Sequence, residues 1–215
     1  QDTDIVSCLD AQTGKELWSY RYPCTNAGGY PGPRATPATD GSRVYMFSRQ
    51  GSLLCLGLED GAKVWEVNVA KSCGAKIPQW GFGSSALLKG NRVYIGAGAH
   101  GMAFDKATGK PAWKNEGGAS GYATPVLFSC GGQEYVAVFS AKKFHVLNEA
   151  DGSEAASTAW ETAYDVNASD AIPMDGGTKI FVCSGYNRAS AVLEFDGHSL
   201  KTLWKNQNLG MQFNT

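Results

Sequence analysis

The chain has 215 residues, of which 27 are glycine, 11% are aromatic and 18% are charged, and its formal net charge is −1. A chain of this length removes roughly 70% of its unfolded surface from water, enough for a substantial core. The near-neutral charge gives no electrostatic footprint for DNA, RNA or an anionic membrane. No apolar run approaches the ~20 residues of a membrane helix, and the glycines carry no collagen period.

Taken in chain order, residues 1–22 begin inside a repeating unit, and the first complete unit runs over about 35–70. Within it, 35–39 reads as a first strand and Asp40-Gly41 as a tight hairpin turn. The apolar and aromatic run 42–48 (SRVYMFS) follows, and then 52–58 (SLLCLGL), apolar enough to be buried on both faces. The alternating 63–69 (KVWEVNV) reads as a fourth, outer strand. The same order recurs over about 83–117, 122–163 and 170–207, and residues 213–215 read as the start of another unit. Four short antiparallel strands per unit of about 40–50 residues describe an all-β fold, the β-propeller. The chain is expected to form one incomplete propeller domain, cut at both ends.

One turn punctuates these units. It reads DAQTGKELW at 10–18, GLEDGAKVW at 57–65, DKATGKPAW at 105–113, a degraded NEADGSEAA at 148–156, and DGHSLKTLW at 196–204. Asp10 and Asp105 are placed to accept backbone N–H groups of the turns they begin, and Asp196 begins the last copy. Gly14, Gly61, Gly109 and Gly152 supply the positive φ that closes a hairpin. Trp18, Trp65, Trp113 and Trp204 offer large flat surfaces to pack between neighbouring units. The fourth copy has Ala156 where tryptophan is expected, and Trp160, four residues on, is read as its stand-in.

The pattern resembles the tryptophan-docking motif of the pyrroloquinoline-quinone (PQQ) repeat propellers, A-x-D-x-x-T-G-K-x-x-W. Ala103, Asp105, Thr108, Gly109, Lys110 and Trp113 match it in full, and Cys8 stands in the alanine place before Asp10. The resemblance extends over essentially the whole chain and is strongest to the BamB-like repeat proteins of bacterial cell envelopes. It implies an eight-bladed parent, a periplasmic or secreted setting, and protein partners. A second resemblance, to quinoprotein alcohol dehydrogenases, implies PQQ and calcium, but the adjacent cysteine pair of those enzymes has no counterpart here. No cofactor, metal ligand or catalytic residue is therefore expected.

Other motifs carry less. Gly96 to Gly101 satisfies G-x-G-x-x-G, yet a strand follows it where a dinucleotide fold needs a helix. His100, His145 and His198 fall in three separate units without local ligand spacing. Asn167-Ala168-Ser169 is a glycosylation sequon with no expected use. Cys24 and Cys73 occupy equivalent loops of adjacent units, open to either a disulfide or two free thiols.

The loops entering each first strand are the candidate site. They read 29–37, 77–86, 117–125 and 165–173, with Arg34, Gly83, Tyr122 and Asp170 at one phase and Gln79 and Trp80 beside them. Converging there, Arg34, Gln79, Trp80, Tyr122 and Asp170 would form a polar, ring-stacking site; the alternative is that they only wall the channel. The sequence thus favours a non-enzymatic interaction scaffold. The alternatives are a PQQ- and calcium-dependent dehydrogenase or a small-ligand or glycan binder.

Overall fold

The computed structural model describes residues 2–25, 31–115, 117–186 and 189–211. The expected start of a further unit at 213–215 and the first residues of the 29–37 loop lie outside them. A two-stranded sheet, β1 (Thr3–Leu9) and β2 (Glu16–Pro23), comes first. Four antiparallel meanders follow, each with its strands hydrogen-bonded in sequence order. The first is β3 (Ala38–Thr39), β4 (Arg43–Phe47), β5 (Ser52–Gly57) and β6 (Lys63–Asn68). Next come β7 (Leu87–Lys89), β8 (Arg92–Ile95), β9 (Met102–Asp105) and β10 (Pro111–Lys114). The third is β11 (Val126–Cys130), β12 (Gln133–Phe139), β13 (Lys143–Asn148) and β14 (Glu154–Ala159). The last is β15 (Ile172–Met174), β16 (Lys179–Ser184), β17 (Ala189–Phe195) and β18 (Leu200–Asn206).

First strands are shorter than the apolar pattern suggests. Only Ala38 and Thr39 of 35–39 pair with β4, because the backbone before them is engaged with the next sheet instead. The second and third strands carry the core: Tyr45, Phe47, Leu53 and Cys55 are fully buried, and they pack on Val93, Ile95 and Phe104 of the following sheet and on Phe82 in the loop before it. At Asn68 the fourth strand stops, because its side chain accepts from Lys71 N–H at 3.1 Å and starts the single helical turn α1 (Val69–Ser72).

The third-to-fourth-strand turn is the same object in four copies. Gly14, Gly61, Gly109 and Gly152 all have φ between 67° and 73°, and each N–H donates to the carbonyl four residues back. Asp10 Oδ1 accepts from Thr13 N at 2.7 Å and from Thr13 Oγ1 at 2.6 Å, and Asp105 does the same with Thr108 at 2.8 and 2.7 Å. Just beyond, the ladder slips by one residue beside the tryptophan position in every sheet. A bulge of this kind re-aims a side chain without ending the strand.

The re-aimed indoles meet the next sheet at its turn glycine. A Cβ built on Gly61 would lie 2.5 Å from Trp18, one on Gly109 2.7 Å from Trp65, and one on Gly152 2.5 Å from Trp113. Each indole N–H finds a carbonyl three residues before that glycine: Leu58 at 2.8 Å, Lys106 at 2.9 Å and Glu149 at 3.1 Å. Below them, Arg43 and Tyr45 reach Lys106, and Arg92 and Tyr94 reach Glu149.

One expectation is corrected, and the two loop cysteines find their places. Trp160 does not stand in for the missing indole: the ladder pairs Val146 with Ala156, as it pairs Cys55 with Trp65, so Ala156 holds the docking position. Trp160 instead lies buried at the opposite end of the strand and donates to Ser184 Oγ at 2.9 Å. Cys24 and Cys73 are both buried. They sit in different clusters: Arg49 Nε contacts Cys24 Sγ at 3.4 Å, while Cys73 N–H closes α1 on Val69 O.

Replacing Trp113 by Ala is expected to cost about 3–5 kcal/mol in denaturant unfolding, as for other large buried truncations. Gly152→Ala and Gly41→Ala both force a side chain into positive φ, but only the former meets an indole; a Cβ on Gly41 has nothing within 4 Å. The second variant should therefore lose about 1–2 kcal/mol and the first clearly more; equal losses would remove the steric role given to Trp113.

The turn aspartates also predict an acid response. Asp196 is held down to about 2 by the backbone N–H of His198 first and then by Ser199. Asp10, Asp105 and Asp151 are lowered by their Thr13, Thr108 and Ser153 partners. Their folded values lie below the unfolded one, so the stabilisation is present above about pH 4 and is lost as pH falls through the folded values. Carboxylate NMR titration should place Asp196 well below its turn-free value; a midpoint near the ordinary aspartate value of 3.8 would contradict the turn geometry.

Candidate functional site

In a four-stranded meander the loops into each first strand and the second-to-third-strand hairpins share one end. The docking turns share the other. The loop end is bound together from sheet to sheet by one repeated hydrogen bond. Thr36 N–H donates to Ser85 Oγ at 2.9 Å, Ser85 N–H to Thr124 Oγ1 at 3.1 Å, and Thr124 N–H to Asp170 Oδ1 at 2.7 Å. Each residue lies two before its first strand, which corrects the predicted phase. Thr36, Ser85, Thr124 and Asp170 are equivalent, whereas Arg34, Gly83 and Tyr122 lie two residues earlier. Burial pushes the Asp170 carboxyl up, against the Thr124 N–H that favours its charge.

Of the five predicted site residues, three join. Half-buried Arg34 donates through Nε to Trp80 O at 2.6 Å, and Trp80 N–H reaches Tyr122 Oη at 3.4 Å. Gln79, next to them, is exposed. Burial raises the Tyr122 phenol, while Arg34 pulls it down. Asp170 does not enter this group, because its carboxylate is turned to Thr124.

The same end carries an aromatic pair that sequence reasoning missed. Tyr164, in the loop after β14, and Tyr186, in the β16–β17 hairpin, stack edge-on with centroids 5.7 Å apart. Tyr164 is 67% exposed and Tyr186 37%. Tyr164, Asp165 and Tyr186 hold φ of 63°, 57° and 54°, a conformation non-glycine residues adopt at a cost and one that clusters at functional surfaces. Behind them the fully buried Asn167 amide donates to Ser140 O, Ala141 O and Trp160 O, which leaves the sequon asparagine no free nitrogen for a glycan.

Two further features lie at or near this end. A cleft of about 430 Å³ runs between β1 and the 31–33 loop, lined by Asp4, Cys24 and Arg49 among others. Between the second and third meanders, His100 and His145 come together although they are far apart in sequence, with centroids 4.8 Å apart. Glu154 Oε2 lies 2.6 Å from His145 Nδ1. Burial lowers both imidazoles, opposed at His145 by Glu154. Burial alone would raise Glu154, but its bonds to His145 and Ser157 bring it down. The G-x-G-x-x-G segment is the hairpin that carries His100, and strand β9 follows it.

Replacing Asp170 by Ala leaves the Thr124 N–H without its acceptor and should cost about 1–3 kcal/mol, with Asp170→Asn recovering most of it through its amide oxygen. Equal losses in both variants would show that the carboxylate charge, and not the acceptor, matters.

A family model described as outer membrane protein assembly factor BamB matches residues 2–212. No curated protein sequence is detectably similar to the chain. Among solved structures, BamB from Moraxella catarrhalis aligns with a TM-score of 0.70 at 18% identity, over 96% of this chain and 59% of that one. The quinohemoprotein alcohol dehydrogenase ADHIIG from Pseudomonas putida HK5 aligns at 0.64 and 16% identity, over 94% of this chain and 39% of that one. A quinohemoprotein alcohol dehydrogenase from Comamonas testosteroni aligns at 0.61 and 15%, over 94% and 40%. The chain thus spans less than two thirds of each of these structures, and at such identities the likeness is one of fold. With repeated four-stranded sheets, phased turn glycines and a family match along nearly its whole length, the chain belongs to the PQQ-like repeat propellers of the BamB family.

Proposed function

We propose that this chain is a non-enzymatic propeller scaffold of the bacterial cell envelope that holds a protein partner against its loop end. The observation that carries the reading is the Tyr164–Tyr186 pair, exposed and held at positive φ beside the Arg34–Trp80–Tyr122 group. Tyrosine, tryptophan and arginine are the residues that dominate binding energy in protein interfaces. A platform that orders them before the partner arrives spends less entropy on association. The family's description as an assembly factor supports the same reading.

The dehydrogenase reading fares less well against the local chemistry. Calcium takes about 6–8 oxygen ligands. Among the described histidine, cysteine and acidic side chains, the one group gathered closely enough is His100, His145 and Glu154, which is rich in nitrogen. Asp170 Oδ1 is engaged by Thr124 and Arg34 Nε by Trp80, so one atom of each already serves the fold rather than a small ligand. No helix among the described residues is long and apolar enough to cross a membrane.

Site-specific photo-cross-linkers at Gln79 and Tyr164 in the full chain should capture a protein in cells, and crosslinkers at Lys63 and Lys201, on outer strands, should not. Tyr186→Ala should weaken the capture at Gln79 several-fold without lowering the melting temperature. Saturable binding of PQQ in calcium buffer, with dye reduction by alcohols, would overturn the proposal; so would capture that is equal at all four positions.

A further inference from the structure

His100 and His145 arrive from different sheets, one in the β8–β9 hairpin and one in β13, with ring planes 24° apart. One ligand atom from each of them and one Glu154 oxygen all lie within 4.8 Å of one another. We propose that His100, His145 and Glu154 form an interblade binding site for a divalent transition-metal ion of the zinc class. Two imidazole nitrogens and one carboxylate oxygen suit zinc and its neighbours rather than calcium or magnesium. Tetrahedral zinc with bonds of about 2.0–2.1 Å sets its donors about 3.3 Å apart. The widest pair here must close by roughly 1.5 Å to reach that geometry, within reach of side-chain rotation at a hairpin residue.

The hydrogen bonds around His145 favour the same use. Ser140 Oγ accepts from Lys143 N at 3.1 Å in the β12–β13 turn. His145 Nε2 is hydrogen-bonded to Ser140 Oγ at 3.0 Å, an outer partner that fixes the ring. On the other side of the ring Nδ1 is hydrogen-bonded to the Glu154 carboxylate, 2.6 Å away, where a divalent ion would take the place of the shared proton. An imidazole whose far N–H is fixed by an outer partner is the usual form of a metal-bound histidine. Glu154 is the most open of the three, its side chain 38% exposed, so the ion enters from solvent and keeps water as its fourth ligand. Lys143, whose charge acts on both rings, opposes the ion.

A chain of Ser140, His145 and Glu154 also has the order of a hydrolytic triad. Its serine, however, is accounted for by the turn: Ser48 makes the matching bond in the β4–β5 hairpin, accepting from Ser52 N at 2.9 Å. Ser140 itself is buried.

Titrating the full chain, stripped by chelator, with cobalt(II) chloride should produce visible bands of tetrahedral intensity that saturate at one equivalent and are displaced by zinc chloride. His100→Ala, His145→Gln and Glu154→Gln should each weaken cobalt binding beyond the ~10–100-fold typical of changes outside the ligand set. Zinc should raise the melting temperature of the wild type but not of Glu154→Gln, whose near-isosteric side chain leaves the fold intact. His198→Ala should bind as the wild type does. Absence of the bands, or equal affinity in wild type and Glu154→Gln, would overturn the proposal, as would loss of binding in His198→Ala.

Discussion

An indole lying on a glycine that can carry no side chain is the contact on which this architecture turns. Three requirements meet at Gly61, Gly109 and Gly152. The hairpin needs positive φ, the incoming tryptophan needs the volume a Cβ would fill, and the indole N–H needs the carbonyl that the turn leaves at glycine minus three. Any other residue would fail the first two together. The bulge before the turn aims the tryptophan, so the strand that ends one sheet also sets the spacing to the next. A solenoid or propeller is stable because each unit completes its neighbour's core, and here the completing piece is one ring per junction.

The fourth sheet tests that logic, because its ring is gone. Aligned by ladder register, the Tyr45–Cys55–Trp65 row becomes Ala137–Val146–Ala156, so both aromatic members are lost together. The volume is recovered two residues away. Tyr135 packs edge-on to Phe195 at 4.9 Å, and its hydroxyl lies 3.6 Å from where a Cβ on Gly197 would stand. The junction after this sheet is thus filled from the second strand rather than the fourth. A different turn, with Gly197 at φ 96°, accompanies the change.

What the sequence made legible was local. Strands, turn glycines and the aspartates that cap them depend on neighbours a few residues away, and they stand in the structure where their residue types direct. Loop positions were harder, because the segments into each first strand differ in length; setting Asp170 level with Arg34, Gly83 and Tyr122 put it two residues out of phase, which the hydrogen-bond ladder reveals. Trp160 misled for a related reason, since only the register of β13 on β14 shows which residue faces the next turn. The pairing of His100 with His145 left no local trace at all. It arises because a hairpin of one sheet overlies a middle strand of the next, a contact set by the stacking of whole sheets.

That division has a consequence for how the loop end works. The docking turns and the Thr36–Ser85–Thr124–Asp170 ladder fasten each sheet at both ends, using backbone groups and small side chains. Larger residues between these fastenings are thereby spared from holding the fold together. Tyr164 and Tyr186 can then be kept at unfavourable φ, exposed, and ordered, because Asn167 and Trp160 beneath them anchor the loop to Ser140, Ala141 and Ser184. Strain held at a surface by a rigid floor is strain a partner need not pay to create, and it is this preorganisation, more than the identity of any one side chain, that makes the loop end a place for binding.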